Sequence, residues 1–211
     1  MSNEEPAKAA APGPAARRTG RPIDRSADAA ILATTIDLLA ERGYDRVSLD
    51  DVAARTGRAK TTLYRRWPTK EDLVLAAIRS AGRPPELDEL PETGTLRDDL
   101  LAVIDSPWLG GAERRLAIFG GLIAAARTSS RMAEAVRSEI TEPYVEIYRR
   151  LLQRAIDREE LPPRTAPGVH LLAEVIPAMS AHRLTTADGP VPRAFFVAVL
   201  DDVLLPALAA R

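Results

Sequence analysis

The apolar residues of this 211-residue chain recur at three- and four-residue spacing from about position 26 to the end, and no segment alternates with the period of two that a half-buried strand requires. That periodicity restricts the chain to an all-α fold. Breakers divide the pattern into helices predicted at 26–42, 48–56, 59–67, 70–81, 95–106, 111–128, 131–141, 143–160, 166–186 and 191–209. Residues 1–25, rich in Ala, Pro and Arg, are expected to form a disordered basic arm. Residues 82–94, GRPPELDELPETG, read as a connector between a first domain at 26–81 and a second at 95–211.

The first domain carries its own punctuation. Ser48 is placed to cap a short helix, with Asp51 answering from the third helical position, and Gly57 is placed to end that helix in the left-handed region. Thr69 and Asp72 repeat the pattern one helix later, after Pro68 stops the helix between them. The core-facing stripes are Ala30, Ile31, Thr35, Leu38 and Leu39, then Leu49, Val52 and Ala53, then Leu63 and Trp67, then Leu73, Val74, Ala77 and Ile78.

Composition removes several function classes. With no cysteine, disulfides and thiolate chemistry are excluded, and His170 and His182 are too few for a histidine-rich metal site. His170 and Glu174 lie one turn apart, but one such pair makes no metal centre. No phosphate loop, dinucleotide fingerprint or nucleophile elbow is present, so neither an enzyme nor a cofactor is expected. No apolar run approaches the ~18 residues of a membrane span, and the N-terminus lacks the apolar core of a secretory signal, which makes the cytoplasm the expected location.

Charge is unevenly placed. Residues 1–83 carry 15 Lys+Arg against 11 Asp+Glu, whereas residues 84–211 carry 14 against 19, so the N-terminal part suits a polyanion better. All three lysines lie at positions 8, 60 and 70 in a chain that otherwise uses arginine; Lys60 and Lys70 either serve as flexible point charges or fall there by chance. From Gly57 to Lys70 there is no acidic residue, while Arg58, Lys60, Arg65, Arg66 and Lys70 are cationic. The helices at 48–56 and 59–67, joined by Arg55-Thr-Gly-Arg58, have helix-turn-helix spacing. With Leu63 and Trp67 turned inward, the second helix presents cations, hydroxyls and a phenol, the groups that contact phosphates and base edges.

The run LDDVAARTGRAKTTLYRRWPTKEDLV, Leu49 to Val74, resembles the DNA-binding signature of the TetR family of transcriptional regulators, and the match extends over about residues 26–80. The acidic C-terminal part is more loosely similar to one of that family's effector domains. The resemblance implies a homodimer that places two helix-turn-helix units on a pseudo-palindromic DNA operator and is released by a small-molecule effector, with repression the expected outcome. It assigns phosphate contacts to Thr62, Tyr64 and Lys70, with Ser48 as a further one. Lys60, Thr61 and Arg65 are the candidates for base edges, and Arg66 suits either role. The chain has Arg58-Ala59 where the family often has Val-Ser, so a serine N-cap is missing at a cost of about 1 kcal/mol in helix stability. Arg58 itself either reaches a phosphate or is solvated. The arm around Arg21 either enters the adjacent minor groove or serves as a solubilising tail. A DNA-binding protein of this type, activator or architectural, without small-molecule control is the alternative.

The last two predicted helices lack a polar face, which points to a homodimer formed through them, with Val199 and Val203 in the contact; the alternative is that both are central helices of a monomer. Pro177 is expected to kink the first of the two. For the effector, the larger side chains Trp108, Phe119, Met132, Tyr144, Tyr148, Met179 and His182 are either pocket-lining or core. The small residues Gly120, Gly121, Ala124, Ala125 and Ala126 either leave a cavity or allow close helix packing.

Overall fold

The structure is a computed structural model that describes residues 25–81, 89–186 and 191–209. It is all-helical, with no strand among the described residues. Four helices form the N-terminal bundle: α1 (Arg25–Arg42), α2 (Leu49–Thr56), α3 (Lys60–Arg66) and α4 (Lys70–Ser80). Eight follow: α5 (Leu96–Ile104), α6 (Ala112–Ala126), α7 (Ser130–Val136), α8 (Glu142–Asp157), α9 (Ala166–Ala173), α10 (Val175–Thr186), α11 (Arg193–Ala198) and α12 (Leu205–Ala209).

The local signals in the first bundle are realised in full. Ser48 and Asp51 close a reciprocal capping box at α2, Thr69 and Asp72 close a second at α4, and Gly57 ends α2 at φ 64°. These boxes start α2 and α4 at fixed residues and so fix the length of the turns on either side of α3. Ile31, Leu38 and Leu39 of α1 are buried against Val52 of α2, Leu63 of α3 and Leu73 and Val74 of α4. Ala30, at the edge of the expected stripe, is exposed, and Ile36 is buried instead.

Proline governs the second bundle, though not always by ending helices. The segments expected to be separate at 131–141 and 143–160 run on through one π-helical turn, Arg137–Thr141, that joins α7 to α8 directly ahead of Pro143. Pro143 has no N–H to donate, and the wider turn before it gives its ring room without breaking the rod. The same device recurs at Val199–Leu204, ahead of Pro206. At Pro177 the outcome is a break: residues 166–186 are two helices, α9 and α10, interrupted at Glu174, one turn before the proline. The π turn at 199–204 decides which valine faces out. Val199 is buried in this chain's own core, contrary to its expected place at a contact between copies, whereas Val203 is 45% exposed.

The start of the second bundle is tied down by a buried carboxylate. Asp99 accepts from the Thr93 N–H (2.7 Å) and hydroxyl (2.8 Å) and from Arg158 Nη1 (3.2 Å), and is fully buried. Burial pushes its carboxyl up, but the Thr93 bonds and the Arg158 guanidinium outweigh it and hold it below its usual 3.8. A depressed folded-state value contributes stability that is present above 3.8 and lost as the pH falls below it. Asp99→Ala is therefore expected to lower stability at neutral pH by about 3 kcal/mol, because it strands Arg158 and the Thr93 donors. Urea unfolding at pH 7 and pH 3 checks both statements: the gap between wild type and variant should narrow at the lower pH.

Candidate nucleic-acid interface and the cleft behind it

Helix α3 begins at Ala59, whose side chain supplies no cap, so its first N–H groups are left open at the exposed end of the helix-turn-helix. Lys60, Thr61, Tyr64 and Arg65 are exposed on it, while Thr62 is half-buried. Tyr64 is 47% exposed. Arg65 and Arg58 are exposed and make no ion pair among the described residues.

Two of the exposed groups, Lys60 and Tyr64, are already engaged. Asp50, in the first turn of α2, accepts from Lys60 Nζ at 2.6 Å and from the Tyr64 hydroxyl at 3.4 Å. The hydrogen bond and charge of Asp50 raise the Lys60 ammonium above its ordinary value. A single carboxylate thus engages both donors.

The remaining candidates serve the scaffold as well as the surface. Arg66 pairs with Asp28 of α1, both partly buried, so it fastens α3 to α1 rather than projecting toward bases. The Ser48 hydroxyl is held in its capping box by Asp51. Lys70 Nζ donates to the carbonyls of Tyr44 (2.9 Å) and Asp45 (3.3 Å) and sits 4.2 Å from the centre of the Tyr44 ring, pinning the start of α4 to the loop after α1. Arg21 lies outside the described residues.

Behind this bundle the second group of helices encloses a cleft of about 690 Å3, counting its open mouth. Its walls come from α6, the π turn after α7, α8, α10 and Phe196 of α11. Phe119, Tyr144 and Tyr148 line it. Trp108 stands behind them, 5.9 Å from the Phe119 ring and 6.2 Å from the Tyr144 ring, centre to centre. Met132 is fully buried away from the lining, and Met179 and His182 lie on the exposed side of α10. Sequence reasoning passed over Arg115, Ile123, Ile140 and Ser180, which also line the cleft. Ala112, Arg115, Leu116, Phe119 and Ile123 recur at helical spacing along one face of α6, a signal that periodicity could have supplied.

The cleft wall and the first bundle are in direct contact. On α6, Arg114 pairs with Asp37 of α1, and a side chain at Gly121 would come 2.8 Å from the backbone nitrogen of Tyr44. Glu139 of the π turn pairs with Arg79 of α4 at 2.8 Å, and Arg131 of α7 with Asp72 at 2.5 Å. The Trp108 indole donates to the carbonyl of Ala81, just past α4, at 2.9 Å. Gly120 faces elsewhere, with Leu184 at an ordinary 3.5 Å from where its side chain would be.

With this geometry in hand, comparison with known proteins is specific. Residues 31–77 match the family described as bacterial regulatory proteins, tetR family, and residues 90–203 match the family described as tetracyclin repressor-like, C-terminal domain. A DNA-binding transcriptional repressor TetR of Mycobacteroides abscessus is 37% identical over 84% of this chain and 91% of its own length. An uncharacterized HTH-type transcriptional regulator of Mycobacterium tuberculosis is 33% identical over 89% of this chain and 93% of its own. The crystal structure of a TetR family transcription regulator superposes with a TM-score of 0.57 at 28% identity, covering 85% of this chain and 97% of that one.

If α3 faces DNA, Asp50 competes with phosphate for Lys60 and Tyr64. Asp50→Asn is expected to bind every duplex about 3- to 10-fold more tightly and to steepen the salt dependence by about one charge. Arg65→Ala should instead lose base preference at one position of each half-site. Fluorescence anisotropy across a salt series, on a duplex carrying two inverted half-sites recovered by selection from a random library and on unrelated duplex, separates the two effects.

Proposed function

The chain belongs to the TetR family of transcriptional regulators, and from that premise we propose that it is a repressor that binds a pseudo-palindromic operator as a homodimer and lets go when a small molecule fills the cleft. The observation that carries this reading is that the same elements build the cleft and hold the first bundle. Phe119 lines the cleft from α6, while Arg114 and Gly121 of that helix touch α1 and the loop after it. Tyr44 in that loop is gripped in turn by Lys70 at the head of α4. A molecule that wedges the wall outward biases where α4, and with it α3, sits. A coupling of ~1–3 kcal/mol between the two sites corresponds to roughly 5–150-fold in operator affinity.

The dimer is proposed to form through the last helices. Leu171 of α9 (66% exposed), Met179 of α10 (36%) and Val203 (45%) are exposed large apolar side chains, and all three lie in the segment expected to meet a second copy. Such a dimer must hold two α3 helices about one DNA turn apart, ~34–36 Å, to occupy both half-sites. Thr61 and Arg65 read bases in this scheme; Lys60, expected at a base edge, is assigned instead to the backbone because Asp50 already offers its ammonium a carboxylate where a phosphate would sit, and Thr62, Tyr64 and Lys70 join it there. The family's members are regulators rather than enzymes, and the expectation of no catalytic activity follows from that.

Selection of bound sequences from a random duplex library with the full chain tests the reading. The expected result is a site with two inverted half-sites whose centres lie about 10 base pairs apart. The Leu171→Asp, Val203→Asp double variant is expected to sediment as a monomer and to lose that site while keeping weak, salt-sensitive binding. A variant that stays dimeric would place the interface elsewhere.

A further inference from the structure

The chemistry of the cleft narrows what can fill it. Among the described residues its lining contains one permanently charged side chain, Arg115, and no carboxylate, so an ammonium ligand would meet a like charge and no counter-charge there. Arg115 is itself engaged: Nη1 donates to the carbonyls of Ser106 (2.9 Å) and Trp108 (3.3 Å), and Nη2 to that of Ile104 (2.7 Å). It is 5% exposed, and its work is to hold the loop that carries Trp108. An anion would surrender its hydration to a guanidinium both of whose terminal nitrogens already serve the backbone. The Ser180 hydroxyl is likewise committed to the Ile176 carbonyl at 2.6 Å.

Tyr144 is different. Its side chain forms part of the wall, it is 8% exposed, and its buried hydroxyl has no hydrogen-bond partner among the described residues. Buried polar groups in folded proteins are nearly always paired, and an unpaired one costs free energy until something meets it. Burial pushes the Tyr144 phenol up to about 12, so at neutral pH it carries its proton and can donate. Around it the rings of Phe119, Trp108 and Tyr148 lie 6.1–6.3 Å away, centre to centre, an aromatic platform for an apolar body.

We infer that the cleft takes an uncharged, largely apolar molecule whose accepting oxygen is seated on the Tyr144 hydroxyl. The inference rests on reading the cleft as the effector site and adds the class of effector.

Three probes with a common phenyl-and-chain body test it by calorimetry on the full-length protein: 4-phenylbutan-2-one, butylbenzene and 4-phenylbutyrate. The ketone is expected to bind about 3- to 10-fold more tightly than the hydrocarbon, the worth of one hydrogen bond, and more tightly than the carboxylate. Tyr144→Phe should bind ketone and hydrocarbon equally and melt no lower than wild type, since it loses only an unpaired hydroxyl. Equal binding of ketone and hydrocarbon by the wild type, tighter binding of the carboxylate, or a ketone preference that survives in Tyr144→Phe would each overturn the inference while leaving the cleft a ligand site. Binding of none of the three would overturn the effector-cleft reading, and the inference with it.

Discussion

Helix α6 can lie against the backbone of Tyr44 only because residue 121 has no side chain: a Cβ there would stand 2.8 Å from the Tyr44 nitrogen. That close approach shapes the contact between the two bundles. It brings the wall of the cleft against the loop that closes α1, and Lys70 grips the other side of that loop through two carbonyls and the Tyr44 ring. The ion pairs Arg114–Asp37, Arg79–Glu139 and Arg131–Asp72 run beside the contact. Each of these pairs has at least one substantially exposed member and is worth little alone. Together they set orientation, while the glycine contact sets distance.

The loop carrying Trp108 adds a second link. Leu109 holds φ 56°, a left-handed conformation that a leucine avoids, between Trp108 and the glycines at 110 and 111. Arg115 braces the loop from below through three carbonyls. The result places one indole beside the Phe119 and Tyr144 rings, tilted against both, with its N–H on the backbone just past α4. One side chain thus touches both bundles.

What could be read from the sequence was mainly what is local. Both capping boxes and the left-handed Gly57 are set by residues within three positions of each other, so spacing alone reveals them. The face of α3 follows from the inward turn of Leu63. Pairings between distant segments could not be read in that way. Nothing near Arg66 in sequence announces Asp28, and nothing near Lys70 announces the carbonyls of Tyr44 and Asp45. Pro177 marked where a helix would be disturbed but not how, and Pro206 was passed over inside the helix expected at 191–209: Pro143 and Pro206 are accommodated by π turns, Pro177 breaks its helix, and the turn before Pro206 put Val199 inside and Val203 outside. In the cleft, size and aromaticity singled out Phe119, Tyr144 and Tyr148. The aliphatic and arginine lining needed the helix face of α6 to be followed as a unit.

The central claim is that filling the cleft and binding the operator are coupled through the contact of α6 with Tyr44. Its most direct test is operator affinity with and without saturating 4-phenylbutan-2-one, measured for wild type, Gly120→Ala and Gly121→Ala. Gly120 has ordinary room for a methyl group and Gly121 has none. Wild type and Gly120→Ala are expected to lose operator affinity by the same factor when the probe is added, while in Gly121→Ala that factor shrinks toward one. An undiminished factor in Gly121→Ala would contradict it.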